Sequence, residues 1–490
     1  MRSCAALAIL AMTATSHAEP PPDQAAEHPA PSSEQHGDHE HEESYGLMAA
    51  ENAAFLIGGT IWYWQTASAQ KPDWALGWDR PSWKHKLTSL DSFRFDSNML
   101  WTNSFGHTTQ AAFAYQINRG NGLGFTGAVV GNTAFALVWE YVVEYREYPS
   151  INDLVINVVS GPAFGEPTWQ IGRYFRTGPK TMTNELLAAA FSPFEGLDHR
   201  INHRAWRSMV RPWHRFRVWG GAGATEFPSE SRIDAILGAD LEVMSSAIPG
   251  TRGWTRVAPG ASSRITGLTR FGEAGNHGGR LHTRVSLAGY QQRAIDDEGL
   301  GRSVFVGVGT GMTYESSKLS NERDQLVAYH LIGPQFEVEV RTRDLVLGYQ
   351  AAAYADFGLV DAFAMGKLPI LDPSPPWDSP LVAHGYYFGL GGSVWNRLYV
   401  DRDRWRVDLE TNAHHLWSID SHQQDRGDVE SPKDLVDTRI YGRLRLGYAL
   451  APNGPVAEGL LDFAVRRGTV GDLERHELER RFGAQLTLPW

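Results

Sequence analysis

Glu140 and Glu144 lie one helical turn apart in the stretch WEYVVEY, and carboxylates at that spacing share a helix face. With His107 and Asp153 they supply imidazole and carboxylate groups of the kind that hold a divalent cation or exchange protons with a substrate. These four are the candidate catalytic residues. Around them stand Arg119, Asn121, Asn152 and Glu166, a polar set with a ligand-binding or a structural role, placed among Phe113, Phe135, Leu137, Val138 and Trp139. A buried carboxylate is costly unless paired or coordinated. Pairing is the commoner remedy, so Glu140 and Glu144 are expected to meet Arg119 or Arg146, or solvent at a helix end, and no metal ligands are assigned. Asp153 has a structural reading too: with Ser150 it has capping-box spacing. Ser104 and His107 are a weak nucleophile–base pair, because no G-x-S-x-G elbow is present. No cofactor follows from the sequence. The glycines of 389–395 read as strand, and no Walker lysine follows them.

The elements that must position these groups read as helices over 45–175. Met48–Trp64 is apolar with few charges, and Thr108–Asn118 stops at a glycine-rich Arg119–Gly122. A helix from about Leu123 to Tyr148 carries Gly124, Ala128, Asn132, Ala136, Glu140 and Glu144 on one face, small at its start and acidic at its end. Pro149 breaks it. The next helix is capped by Ser150 and is expected to end at Gly161-Pro162, before a short one over Pro167–Phe175.

Past about residue 213 the period changes from 3.6 to 2. In TRIYGRLRLGYAL, Ile440, Leu444, Leu446, Tyr448 and Leu450 take one face, and Arg439, Tyr441, Arg443 and Arg445 the other. Segments of this kind recur at 216–224, 234–243, 281–292, 302–314, 327–342, 344–358, 381–395, 404–418, 438–450, 457–468 and 480–490. They are longer than the strands of soluble sheets, and they suit tilted strands with one face in lipid and one in a polar lumen. The chain closes on Leu486–Trp490, an alternating stretch with a terminal aromatic, similar to the end of bacterial outer-membrane barrels.

The start of the chain reads differently. Arg2, the apolar run Ala5–Met12 and Ser16-His17-Ala18 have the form of a signal peptide over 1–18. The single cysteine, Cys4, lies within it, so the mature chain has no disulfide, thiolate site or cysteine nucleophile. Residues 19–43 hold eight acidic residues, five prolines, four histidines and no Lys or Arg. Such a segment cannot bury a core, and 19–44 is expected to be a disordered acidic linker. Its histidines (His28, His36, His39, His41) read as a solvated spacer rather than a metal tether. A net charge of -11 with no basic run excludes a nucleic-acid surface. No apolar stretch reaches spanning length once the small and polar residues of 121–139 are discounted.

His107, Tyr115, Arg119, Trp139-Glu140-Tyr141, Glu144, Ser150, Asn152-Asp153-Leu154, Gly161 and Gly165-Glu166 together resemble a bacterial family of uncharacterised envelope proteins. That family is defined by a shared domain of unknown function ahead of a predicted outer-membrane barrel. The resemblance covers about 45–180, with Thr108 where the family pattern has proline. It implies location and architecture and supplies no reaction.

The sequence therefore predicts an α+β protein of the cell outer membrane. A helical domain over 45–180 and a connector over 181–213 precede an antiparallel barrel of about 10–14 strands over 214–490. The expected role is an envelope scaffold or pore whose helical domain plugs the lumen or docks at its periplasmic mouth. The alternative is a membrane-embedded lipid hydrolase or divalent-metal-dependent enzyme using the polar cluster. The partners expected are outer-membrane lipid and, through the helical domain, an envelope protein.

Overall fold

The computed structural model describes residues 43–67, 86–89, 93, 95–96, 98–144, 149–196, 212–227, 231–244, 253–273, 275–296, 299–319, 322–365, 380–419, 434–452 and 454–489. The signal peptide, most of the acidic linker, Arg146 and the terminal Trp490 lie outside them.

Thirteen strands follow the helices. They are β1 (Trp213–Glu226), β2 (Ser231–Met244), β3 (Trp254–Val257), β4 (Ser262–Gly272), β5 (Gly275–Ile295), β6 (Gly301–Lys318), β7 (Arg323–Arg341), β8 (Leu345–Asp361), β9 (Tyr386–Arg402), β10 (Trp405–Ser418), β11 (Leu435–Ala449), β12 (Val456–Val470) and β13 (Leu473–Pro489). Twelve of them close an antiparallel barrel by the β1–β13 pairing, and β3 adds only to β5. The fold is thus α+β with a strand number inside the expected range.

Pairs that reach across the barrel identify its inner face. Arg397 of β9 meets Asp240 of β2 (3.5 Å), and Arg270 of β4 meets Glu479 of β13 (2.9 Å). Arg466 of β12 and Arg439 of β11 both meet Asp324 of β7 (2.9 and 2.7 Å). The lumen is filled by these pairs. The alternate residues point outward, and on β10–β13 they form an exposed apolar belt that includes Val407, Leu409, Ile440, Leu446, Leu461, Phe463, Phe482 and Leu486. Charge inside and apolar surface outside is the polarity of a transmembrane barrel.

The helices are α1 (Tyr45–Ala67), α2 (His107–Gly120), α3 (Phe125–Val138), α4 (Ile151–Ser160), α5 (Glu166–Arg176) and α6 (Met182–Phe191), with a short α7 (Pro380–His384) between β8 and β9. Three wide turns with i→i+5 hydrogen bonding interrupt them, at Thr102–Gly106, Trp139–Val143 and Gly161–Gly165. The third corrects an expectation. Gly161-Pro162 does not end the helix, because a wide turn leaves a carbonyl without its usual donor and so tolerates a residue without N–H. The helical region also runs past residue 180, since α6 lies inside the stretch read as a connector.

These helices lie against the outer wall of the barrel. Phe216, Leu241, Ile265, Thr283, Met312, Tyr329 and Phe357 are successive register partners across β1, β2, β4, β5, β6, β7 and β8. Each alternates with lumen-facing neighbours such as Arg217, Asp240, Arg264 and His330, so the whole row faces out, yet every member is buried. Ile171, Tyr174 and Phe175 of α5 cover one end of the row, and Ile156 of α4 with Leu100, just before the first wide turn, cover the other. Thr283 donates to the Ala163 carbonyl in the third wide turn (2.6 Å), and the Tyr329 hydroxyl meets Thr108 (2.8 Å). The helical domain therefore does not fill the lumen: the barrel's own arginines and carboxylates occupy that space, and the apolar faces of α4 and α5 match the outer wall.

The predicted small face of α3 does meet other helices. Ala128, Asn132 and Ala136 are buried, and Asn132 donates to the Asn157 carbonyl of α4 (2.7 Å). A Cβ added at Gly161 would stand 2.6 Å from Asn132 Nδ2. Ala128→Leu should therefore cost about 1–3 kcal/mol, read as a lower thermal midpoint. An unchanged midpoint would show slack between α2 and α3. The other side of this element is apolar and exposed at Val130, Leu137, Val138 and Val142, and Phe125–Val143 is long and apolar enough to cross a membrane.

Candidate functional site

Four elements converge on the first candidate group. His107 opens α2 directly after the first wide turn, Glu140 lies in the second, Asp153 is in the first turn of α4, and Asp96 comes from the irregular stretch that leads to the first wide turn. His107 Nε2 lies 3.3 Å from Asp153 Oδ1. Asp96, His107 and Asp153 each bring one ligand-type atom into a group lying within 4.8 Å of one another. Glu140, Glu144 and Asp153 do the same, so Asp153 belongs to both groups.

The capping box forms only in half. The Ser150 hydroxyl accepts from the Asp153 N–H (3.1 Å), as the spacing predicts. The return bond is made by Glu140, whose Oε2 accepts from the Ser150 N–H (2.9 Å). The Asp153 carboxylate is thereby left to face His107. Asn152 holds the group together, donating to Asp96 (3.0 Å) and to Asp153 (2.8 Å). Asn103 donates to the same Asp96 oxygen, Oδ1 (2.6 Å).

The predicted pairing of Glu140 and Glu144 with Arg119 does not occur, because Arg119 is committed elsewhere. Glu144 accepts from the Trp139 indole (2.9 Å). Lys86 is the cation near the two glutamates, and it donates to the carbonyl of Glu140 (3.0 Å) and to that of Glu144. Burial pulls its ammonium down to about 8. Burial, with Asp96 next, pushes the Asp153 carboxyl up, and burial pulls the His107 imidazole down. Ser104 donates to the Leu100 carbonyl (2.6 Å), so it forms no nucleophile–base pair with His107.

Arg119 and Glu166 form a separate centre. Glu166 is fully buried, accepts from Tyr115 (2.7 Å) and Gln170 (2.7 Å), and pairs with Arg119 (3.1 Å). Arg119 also stacks on Trp169, 4.0 Å from its centroid. Gly260, in the loop before β4, has φ +78°, and a Cβ there would stand 2.4 Å from Glu166 Oε1. Gln170 also donates to the Gly260 carbonyl (3.4 Å). This carboxylate therefore latches α2 to α5, beside the loop that leads into β4. Asn121 lies apart from both centres, donating to Glu51 of α1 (2.7 Å) and to the Ile117 carbonyl (3.0 Å) at the end of α2. The eight sequence candidates thus divide among three places: His107, Glu140, Glu144, Asp153 and Asn152 together, Arg119 with Glu166, and Asn121 at a helix end.

Sequence reasoning missed Asp96 and Lys86. Neither lies in a periodic segment, and neither has a spacing that ties it to the others.

The fold defines a membrane-type barrel that carries a helical domain on its wall. Residues 92–194, which hold the whole cluster except Lys86, match the family profile described as Domain of unknown function (DUF3943). The expected architecture, that domain ahead of a barrel, is what the chain has. Among curated proteins none matches. Solved structures similar to the chain include an outer membrane channel from Pseudomonas putida F1 (11% identity, TM-score 0.25, covering 58% of this chain and 98% of that one). A FadL homologue from Pseudomonas aeruginosa is 7% identical with TM-score 0.24, over 56% and 89% of the two chains. The translocator domain of an autotransporter from Neisseria meningitidis is 11% identical with TM-score 0.19, over 61% and 96%.

Proposed function

We propose that the protein works in the outer membrane as a hydrolase of lipid-phase substrates, with the helical domain as its working part and the barrel as its anchor. The observation that carries this reading is the convergence of His107, Asp96, Asp153, Glu140 and Glu144 in two groups that share Asp153, buried at His107, Glu140 and Asp153. Its position supports a lipid substrate. The group sits in a domain held on the outer wall, whose far side exposes Ile57, Ile61, Trp62, Val130 and Val142. A substrate would reach it sideways from the bilayer. In a hydrolysis this group would activate an attacking water, with Asp153 3.3 Å from His107 Nε2 at its centre.

The scaffold or pore reading keeps one supporting feature. At the rim where the chain enters and leaves the barrel, Arg215, Arg217, Arg397, Glu339, Asp401 and Asp408 line a cavity of about 330 Å³. Cross-barrel pairing weighs against continuous passage beyond it.

The test is incubation of the purified full chain in vesicles of outer-membrane lipid extract, with products read by mass spectrometry. Release of a lipid fragment that falls at least tenfold in His107→Ala is the expected result. No product from any lipid fraction, or equal product from His107→Ala, would refute the hydrolase.

A further inference from the structure

His107 is only 7% exposed, and neither of its ring nitrogens makes a hydrogen bond. Glu140 is fully buried; one of its oxygens accepts from Ser150 and the other, Oε1, accepts from nothing. Both unmet groups belong to the two sets that share Asp153. Unsatisfied imidazole and carboxylate atoms in an apolar interior are costly, and a nearby ligand is the usual reason they persist.

The charge of the group points the same way. Four carboxylates (Asp96, Glu140, Glu144 and Asp153) lie together with Lys86 as the cation beside them among the described residues, and its ammonium is turned to backbone carbonyls. Atoms bound to a common ion at about 2.0–2.2 Å lie no more than roughly 4.4 Å apart, so a mutual span of 4.8 Å needs only a small contraction. Outer partners are already in place, because Asn152 and Asn103 fix Asp96, and Ser150 fixes Glu140. One imidazole with several carboxylate oxygens suits zinc or manganese and does not suit the metals that need thiolates.

We propose that this cluster is a divalent-metal centre. Asp96, His107 and Asp153 hold one ion, and the Asp153 carboxylate bridges to a second position held by Glu140 and Glu144. A shared carboxylate between two cations is the arrangement that clamps both the attacking and the leaving oxygen of an ester or phosphoester. The proposal deepens the hydrolase reading and names what would activate its water.

The experiment titrates Mn²⁺ alone into chelator-stripped full chain in detergent, followed by electron paramagnetic resonance, and repeats it with Zn²⁺ followed by elemental analysis. Because His28, His36, His39 and His41 in the linker also attract zinc, a chain with all four changed to alanine is measured beside it. One or two ions per chain are expected, retained in that control and weakened at least tenfold in His107→Gln and in Asp96→Asn. Heat-modifiable gel mobility shows that each variant keeps its barrel. Binding that vanishes with the linker histidines, or that is equal in the wild type and in His107→Gln, overturns the proposal. Metal bound as expected with no turnover of any lipid upholds the centre and refutes the hydrolase. Turnover that persists in metal-free chain upholds the hydrolase and refutes the centre.

Discussion

Glu166→Ala should loosen the helical domain while the barrel stays closed. The carboxylate is fully buried and is the common acceptor for Tyr115, Gln170 and Arg119. Removing it leaves a guanidinium beside Trp169 without this counter-charge, and two donors without this acceptor. Breaking a buried pair from one side costs about 3–5 kcal/mol. The cost falls on the contact between α2 and α5 and not on the strand ladder, so the helical domain and the barrel should respond differently. Protease should cut within 107–191 in the variant at concentrations the wild type resists, while heat-modifiable mobility of the barrel persists. Equal resistance would mean that the apolar row from Phe216 to Phe357 holds the domain without the latch.

Asp408→Ala should strike the barrel itself. Asp408 is almost fully buried in the lumen and accepts from Arg397 (3.1 and 3.2 Å) and from Arg445 (2.9 Å), with Arg217 3.8 Å away. Asp240 is the neighbouring anion, and it already serves Arg217 and Arg264. Without Asp408, Arg445 would lose this partner and Arg397 and Arg217 would share Asp240 with Arg264, at a cost of about 3–5 kcal/mol. Two readouts follow. The temperature at which the barrel loses its compact gel mobility should fall. In planar bilayers the wild type should pass almost no steady current, whereas the variant, with a cationic and less tightly tied lumen, should show a leak that prefers anions. A steady wild-type current unchanged by the substitution would mean that these pairs do not seal the lumen, and would restore the pore reading.

The barrel was legible where its outer face meets lipid. On β11 the apolar and arginine faces alternate as read, because lipid selects one and the lumen the other. β4 was not legible, and the reason is physical. Its outward residues include Ser263, Ile265, Gly267 and Thr269, and the wall there is covered by helices, so no strict apolarity is imposed. The same cover hid where the helical domain sits. Thr283 and Tyr329 look like ordinary strand residues until their hydroxyls are seen to bond α-helical backbone and side chains. In the candidate site, residue types and the Ser150 cap were legible, but the partner of each carboxylate was not. A wide turn at Trp139–Val143 re-aims Glu140 onto Ser150, and i, i+4 spacing carries no sign of that. Asp96 had no signal, since an irregular stretch offers no period to read.

The surface that receives the helices is made by strands that come later in the chain. Its row begins on β1 and ends on β8, so it does not exist until those strands have paired. The helical domain, first in the chain, has its complete docking surface only when seven later strands stand side by side.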